Sequence, residues 1–285
     1  MLGIRILIDY LVVFFKFVHG KRIQPGNASF RFSFRDTFFE WILFSLFFAA
    51  LLYVLVLLDR THTGQLSVVM IFVLVAAASP IYGFVIQPML SLFIYKETYR
   101  YIEETKALEQ WVLTTFKIKV NIRLLDKEVV NAYATGVIPF SKLIILGRPL
   151  FDGLSQDDIK GLILHELGHT VRHHLLVLYG INVVTYSIGV VASYYLFPLY
   201  ETTPYAGLFV FLHGAVFYGL LMALIPGLVQ RRIEYAADKF AAIHAGAAYA
   251  TALTNLNILS EGGLMKGGLN YPSLKKRLAR IHEVY

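Results

Sequence analysis

The sequence predicts a mainly α-helical membrane protein with four transmembrane helices in two hairpins, an N-terminal interfacial helix, and a small α+β domain at one membrane face. Three observations predict it. A mean hydropathy of +0.60 with only 16% charged residues lies outside the usual range of soluble domains. Four apolar runs are each long enough to cross about 30 Å of hydrocarbon at about 1.5 Å per helical residue. The polar remainder, residues 96–174 and 231–285, shows helix and strand periodicity in two pieces, and neither piece is expected to fold alone.

From the N-terminus, residues 1–35 form the interfacial segment. At about 100° per residue, Arg5, Asp9, Lys16 and His19 fall within an arc of roughly 80°, leaving a wide apolar face suited to lying in the headgroup plane, with a fifth span over residues 1–19 as the alternative. No small-residue cleavage site follows, so the segment is expected to be retained. The first hairpin occupies residues 36–95. One run starts at Trp41 and stays uncharged to Asp59; the other fills much of Leu66–Tyr95 and is interrupted by Pro80 and Pro88. The second hairpin, residues 175–230, pairs a run from Leu175 to about Leu199 with one from about Ala206 to Gln230, joined by YETTPY.

Basic residues set the orientation. Six Lys and Arg precede the first span, Lys96 and Arg100 follow the second, Arg172 precedes the third, and Arg231 and Arg232 follow the fourth, whereas the hairpin turns hold only Arg60. Both termini and the polar domain should therefore be cytoplasmic in a multi-pass protein of the cell or inner membrane. The formal charge of +7 along the apolar runs suits anionic lipid, and no nucleic-acid motif is present. With no cysteine, the chain can form no disulfide, thiolate metal site or cysteine nucleophile.

In the polar domain, Lys96 to about Phe116 reads as helix, and KVNIRLLD and SKLIILG read as short strands. LSQDDIKGLILHELGHTVRHH is a helix with Ser155 as N-cap and Asp158 three residues on. LVQRRIEYAADKFAAIHAG is a second helix stopping near Gly246, and YPSLKKRLARIHEVY a last one with Pro272 at its start.

Chemistry concentrates in the first of these helices. H-E-x-x-H puts His165 and His169 one turn apart on one face, where both imidazoles can reach the same zinc ion, with Glu166 beside them. A catalytic zinc site needs a third protein ligand. His173 lies about 12 Å along the axis from His165 at 1.5 Å per residue, too far to converge, and His173 and His174 read as interfacial polar residues. The better source is RRIEYAADKF, which sets Glu234 and Asp238 one turn apart on another helix and can complete a His, His, carboxylate set. The intervening hydrophobic hairpin returns the chain to the same membrane face. His213, alone in an apolar run, reads as a helix-to-helix hydrogen-bonding group.

H-E-L-G-H, E-Y-A-A-D, the preceding NAYATG and the closing YPSLKKRLARI together resemble the HtpX group of membrane zinc peptidases, relatives of the CAAX prenyl endopeptidases. The similarity runs over roughly residues 36–281. It implies a zincin-like domain with a small edge sheet, one zinc ion per chain held by His165, His169 and Glu234, and Glu166 as general base. Asp238 and Arg277 resemble a salt-bridged pair behind the site. NAYATG resembles the edge strand on which substrate is added, which assigns Asn131, Ala132, Tyr133 and Ala134 to substrate binding. Most family members carry His where this chain has Tyr271. A phenol can donate to the oxyanion in its place, or pack as an aromatic.

The implied activity is endoproteolysis of cytoplasmic segments of misfolded or damaged membrane proteins, with membrane lipids and membrane-protein or peptide substrates as partners. A CAAX-type prenyl endopeptidase is the enzyme alternative, although those relatives have more spans. A scaffold with structural zinc is the other; such sites usually close with four ligands and have no need of Glu166.

Overall fold

Alternating and β-branched residues build one sheet, and amphipathic helices cover it. The computed structural model describes residues 86–93, 99–216 and 224–284, all within one unit, Ala50–Tyr285. The interfacial segment 1–35 and most of the first hairpin, 36–95, lie outside the described residues. The described helices are α1 (Gln87–Phe93), α2 (Glu103–Phe116), α3 (Arg148–Gly153), α4 (Gln156–Val171), α5 (His174–Glu201), α6 (Ala206–Gly214), α7 (Ile225–Ala245), α8 (Ala247–Leu259) and α9 (Leu274–His282). The strands are β1 (Tyr99–Arg100), β2 (Asn121–Leu125), β3 (Ala132–Thr135) and β4 (Leu143–Gly147), with a 3₁₀ turn at Pro139–Ser141.

The sheet order is β1-β2-β4-β3. β2 and β4 are parallel, with Ile122 opposite Ile144, while β1 and β3 run antiparallel to their neighbours. All of LIILG in β4 is buried because both faces are covered. Ile144 and Leu146 face the main core with Ile122, Val112 of α2 and Ile163 and Leu167 of α4, whereas Leu143 and Ile145 pack with Leu125 and with Leu92 of α1. Glu109 ties α2 to the sheet by accepting from the Ile122 N–H at 2.7 Å and from Arg123 at 2.8 Å.

Helix α4 starts at the expected capping box: Ser155 Oγ accepts from the Asp158 N–H, and the Asp158 carboxylate accepts from the Ser155 N–H. It then runs between α7 and α8, where two glycines allow close approach. A Cβ at Gly161 would meet Ala252 Cβ at 3.1 Å, and one at Gly168 would meet Ala237 Cα and Phe240 Cβ at 3.1 Å. The charged C-terminal turn stops at Arg172, and His173 adopts the left-handed conformation (φ 53°) that redirects the chain into α5.

Three expectations need adjustment. The stretch from Lys96 is not one helix, because β1 pairs with β2 before α2 begins at Glu103. The last helix begins at Leu274, after Ser273 and two residues beyond Pro272. The third apolar run is helical from His174 to Glu201, so its first residue is a histidine expected outside it. Among the described residues, one helix, His174–Ser193, is long and apolar enough to cross a membrane. The fourth run is helical from Ala206 and again from Ile225, with residues 217–223 outside the described set. His213 meets Ser193 Oγ at 2.8 Å, a hydrogen bond between α6 and α5.

Candidate metal centre

Residues His165 and His169 share one face of α4, and Glu234 comes from the middle of α7, packed directly across it. The two Nε2 atoms are 3.2 Å apart. Glu234 Oε2 lies 3.4 Å from His165 Nε2, and Oε1 lies 3.8 Å from His169 Nε2. These ligand atoms fall within 4.8 Å of one another, and all three residues are buried. A tetrahedral ion bound at about 2.0–2.1 Å has ligand-to-ligand edges of about 3.3–3.4 Å, so the residues fit zinc.

The two histidines are held from behind. His165 Nδ1 is 3.0 Å from Asp238 Oδ1, which orients the ring with Nε2 toward the cluster. Arg277 from α9 donates through Nε to Asp238 Oδ2 at 2.9 Å and through Nη2 to Oδ1. The expected Asp238–Arg277 pair is therefore formed, and it is buried rather than exposed. Sequence reasoning missed Tyr249. Its hydroxyl, fully buried on α8, donates to Asp238 Oδ1 at 2.6 Å, lies 2.9 Å from His165 Nδ1, and accepts from Arg277 Nη2 at 3.1 Å. His174, expected as an interfacial residue, packs against His169 instead. It is buried, and its Nδ1 sits 3.2 Å from His169 Nδ1, whereas His173 is exposed.

Glu166 points into the same cavity, of about 490 Å³, without joining the ligand cluster. Its Oε2 accepts from the Ala134 backbone N–H at 2.7 Å. Burial, partly offset by His165, raises its carboxyl to about 7. Burial, reinforced by the adjacent His165, keeps His169 well below the usual imidazole range and therefore neutral. Burial lowers His165 as well, but hydrogen bonds to Asp238 and Glu234 outweigh it and lift the group to about 10. Metal uptake must then displace a proton from this ring.

Asn131, Ala132, Tyr133 and Ala134 all line the cavity. Their backbones are not equally open. Asn131 C=O accepts from the Gly147 N–H, Tyr133 pairs opposite Ile145, and the Ala134 N–H is taken by Glu166. Strand alternation leaves Ala132 N–H and C=O, with Ala134 C=O, directed outward. Tyr271 lines the cavity about half exposed, with its phenol pushed up by burial and by Glu234, so it stays an O–H donor. Its loop is pinned by Arg231, which donates to Gly268 C=O at 2.6 Å.

An edge strand over a helix bearing two imidazoles and a neighbouring carboxylate, crossed by a second helix that supplies a third ligand, defines the architecture of a metallopeptidase. The chain belongs to peptidase family M48, whose model matches residues 106–284. Curated relatives include an HtpX protease homolog of Aquifex aeolicus, 27% identical over 199 residues, which are 58% of this chain and 66% of that protein. The HtpX protease of Shewanella oneidensis is 24% identical over 212 residues, 61% of this chain and 74% of the relative. The chain thus spans about two thirds to three quarters of these relatives. Among solved structures, S. mikatae Ste24p shares the fold with a TM-score of 0.60 at 18% identity, covering 88% of this chain and 66% of that one.

Proposed function

We propose that the chain is a zinc-dependent endopeptidase of the membrane that cuts peptide bonds in cytoplasmic segments of misfolded or damaged membrane proteins. The observation that carries this reading is the convergence of His165 Nε2, His169 Nε2 and a Glu234 carboxylate oxygen within 4.8 Å, with Glu166 beside them and outside the set. Zinc bound by these three residues would lower the pKa of water toward about 7 and polarise the scissile carbonyl. Glu166, anchored through Oε2, keeps Oε1 to take the proton of the attacking water and pass it to the leaving amine. The outward backbone groups of Ala132 hold an extended peptide as an added strand, and the phenol of Tyr271, which lines the same cavity, donates to the developing oxyanion.

Three features support a membrane setting: the apolar length of α5, the short path from His169 to it, and the start of α7 at Ile225 within the fourth apolar run. By the rise of α7, which runs unbroken from Ile225 through Glu234, this carboxylate lies within about 10 Å of the lipid boundary. A substrate with its own membrane anchor then meets the cleft at raised effective concentration.

The test compares Glu166→Ala with the parent chain for zinc content and for hydrolysis of a membrane-tethered unstructured peptide. Zinc should be retained while the rate falls by about 10²–10⁴-fold. Undiminished hydrolysis refutes the peptidase reading and favours a scaffold with structural zinc. Cleavage of soluble peptides with tethered ones left intact refutes the membrane-substrate reading.

A further inference from the structure

A ligand histidine has two ring nitrogens, and the one that does not bind metal needs a partner to fix the tautomer. On His165 that partner is Asp238. At His169, among the described residues, the group facing Nδ1 at 3.2 Å is the Nδ1 of His174, with ring centroids 5.2 Å apart and planes at 77°. Both rings are buried. We infer that His174 is the positioning residue of His169, accepting the His169 Nδ1–H on its own unprotonated Nδ1 and so aiming Nε2 at the metal.

The protonation pattern follows from counting lone pairs. A neutral imidazole that binds metal through Nε2 must carry its proton on Nδ1. The only acceptor a neutral His174 can offer at that point is an Nδ1 lone pair, which puts its own proton on Nε2. His174 is not a fourth ligand, because the nitrogen it offers faces the back of His169 and stands outside the three-residue cluster.

The backbone explains how a residue five positions on reaches that spot. Helix α4 ends at Val171, and the left-handed turn at His173 folds His174 back against His169 as the first residue of α5. The hydrogen bond therefore links the metal ligand to the start of the apolar helix. Leu175, the next residue, and Leu178, one turn on, line the same cavity as the ligands. An exposed, freely rotating histidine at the headgroups would have no such fixed partner.

This inference rests on His169 being a ligand, and the experiment separates the two ideas. Zinc affinity is measured by competition with a chromophoric chelator on the full chain in detergent, for the parent, His174→Ala, His174→Asn and His174→Gln. Asn carries Oδ1 on Cγ, where His carries Nδ1, whereas Gln places its oxygen one bond further out. Loss of the partner in His174→Ala should weaken zinc binding about 10–100-fold, His174→Asn should recover to within about 3-fold of the parent, and His174→Gln should not. Parent-like affinity in His174→Ala, or equal affinities in the Asn and Gln variants, overturns the inference while leaving the metal centre intact. A parent chain that binds no zinc overturns both. Independently of any variant, ¹⁵N-histidine spectra of the zinc-loaded parent should show a proton on His169 Nδ1 and none on His174 Nδ1. A proton on His174 Nδ1 overturns it.

Discussion

The Tyr249 hydroxyl touches a ligand, the carboxylate behind it and the guanidinium behind that. Removing it in Tyr249→Phe takes away the bond it donates to Asp238 and the one it accepts from Arg277, but leaves Asp238 still bonded to Arg277 and to His165, so the centre should survive with two hydrogen bonds fewer. Two net hydrogen bonds of about 0.5–1.5 kcal/mol each correspond to a zinc dissociation constant raised about 5–150-fold. Chelator competition reads this directly, and an unchanged constant would mean the phenol only fills space. Tyr249 also shows which site residues a sequence can reveal. His165, Glu166 and His169 are legible because three chemical groups stand at fixed helical spacing, and Glu234 with Asp238 because they form a second such pair on the far side of one hairpin. A lone Tyr in AAYATAL carries no spacing signal. His174 was visible but misread, since its role depends on a backbone turn at His173 that no residue type there announces.

The crossing of α4 and α7 brings the ligands together, and Gly168 sets how close that crossing can be. With a Cβ already meeting Ala237 and Phe240 at 3.1 Å, Ala is tight and Leu cannot fit without driving the helices apart. Gly168→Leu should destabilise the protein by about 1–3 kcal/mol through overpacking. Because Glu234 rides on the displaced helix, zinc binding should fall further than stability does, which thermal melts with and without added zinc would separate; an equal zinc-induced shift in parent and variant would show that the site tolerates the displacement. Elements with strong local signals were readable. The capping box placed the start of α4 to the residue, though the helix ends at Val171 rather than running on through His174, and the β-branched runs placed β2 and β4. Helix α8 was not anticipated, because Gly246 (φ 57°) correctly signals a stop but nothing in AAYATALTNL declares that a new helix starts at once. β1 escaped notice because two residues have no period, and only pairing with β2 defines them.

At the level of the whole molecule, α5 and α6 expose what a polypeptide in water would hide. Tyr195, Leu199, Leu208 and Phe211 are all more than half exposed, and the apolar stretch of α5 is hardly buried by the rest of the protein. Such a surface is stable against lipid, where α5 satisfies its own backbone and Asn182, Thr185 and Ser193 return their side chains to carbonyls four residues back. If the hairpin crosses the bilayer, the turn after Glu201 lies on the opposite side from the metal centre, as the scarcity of Lys and Arg in that turn requires. The absence of native cysteine makes the chain a clean background for single thiols. Thr202→Cys, in the exposed turn, should react with a membrane-impermeant maleimide in intact cells, whereas Asp152→Cys, exposed beside the capping box of α4, should react only after permeabilisation. Labelling of both positions in intact cells, or of neither, would mean that the second hairpin does not separate them across the bilayer, and the placement of the cleft at the cytoplasmic membrane surface would fall with it.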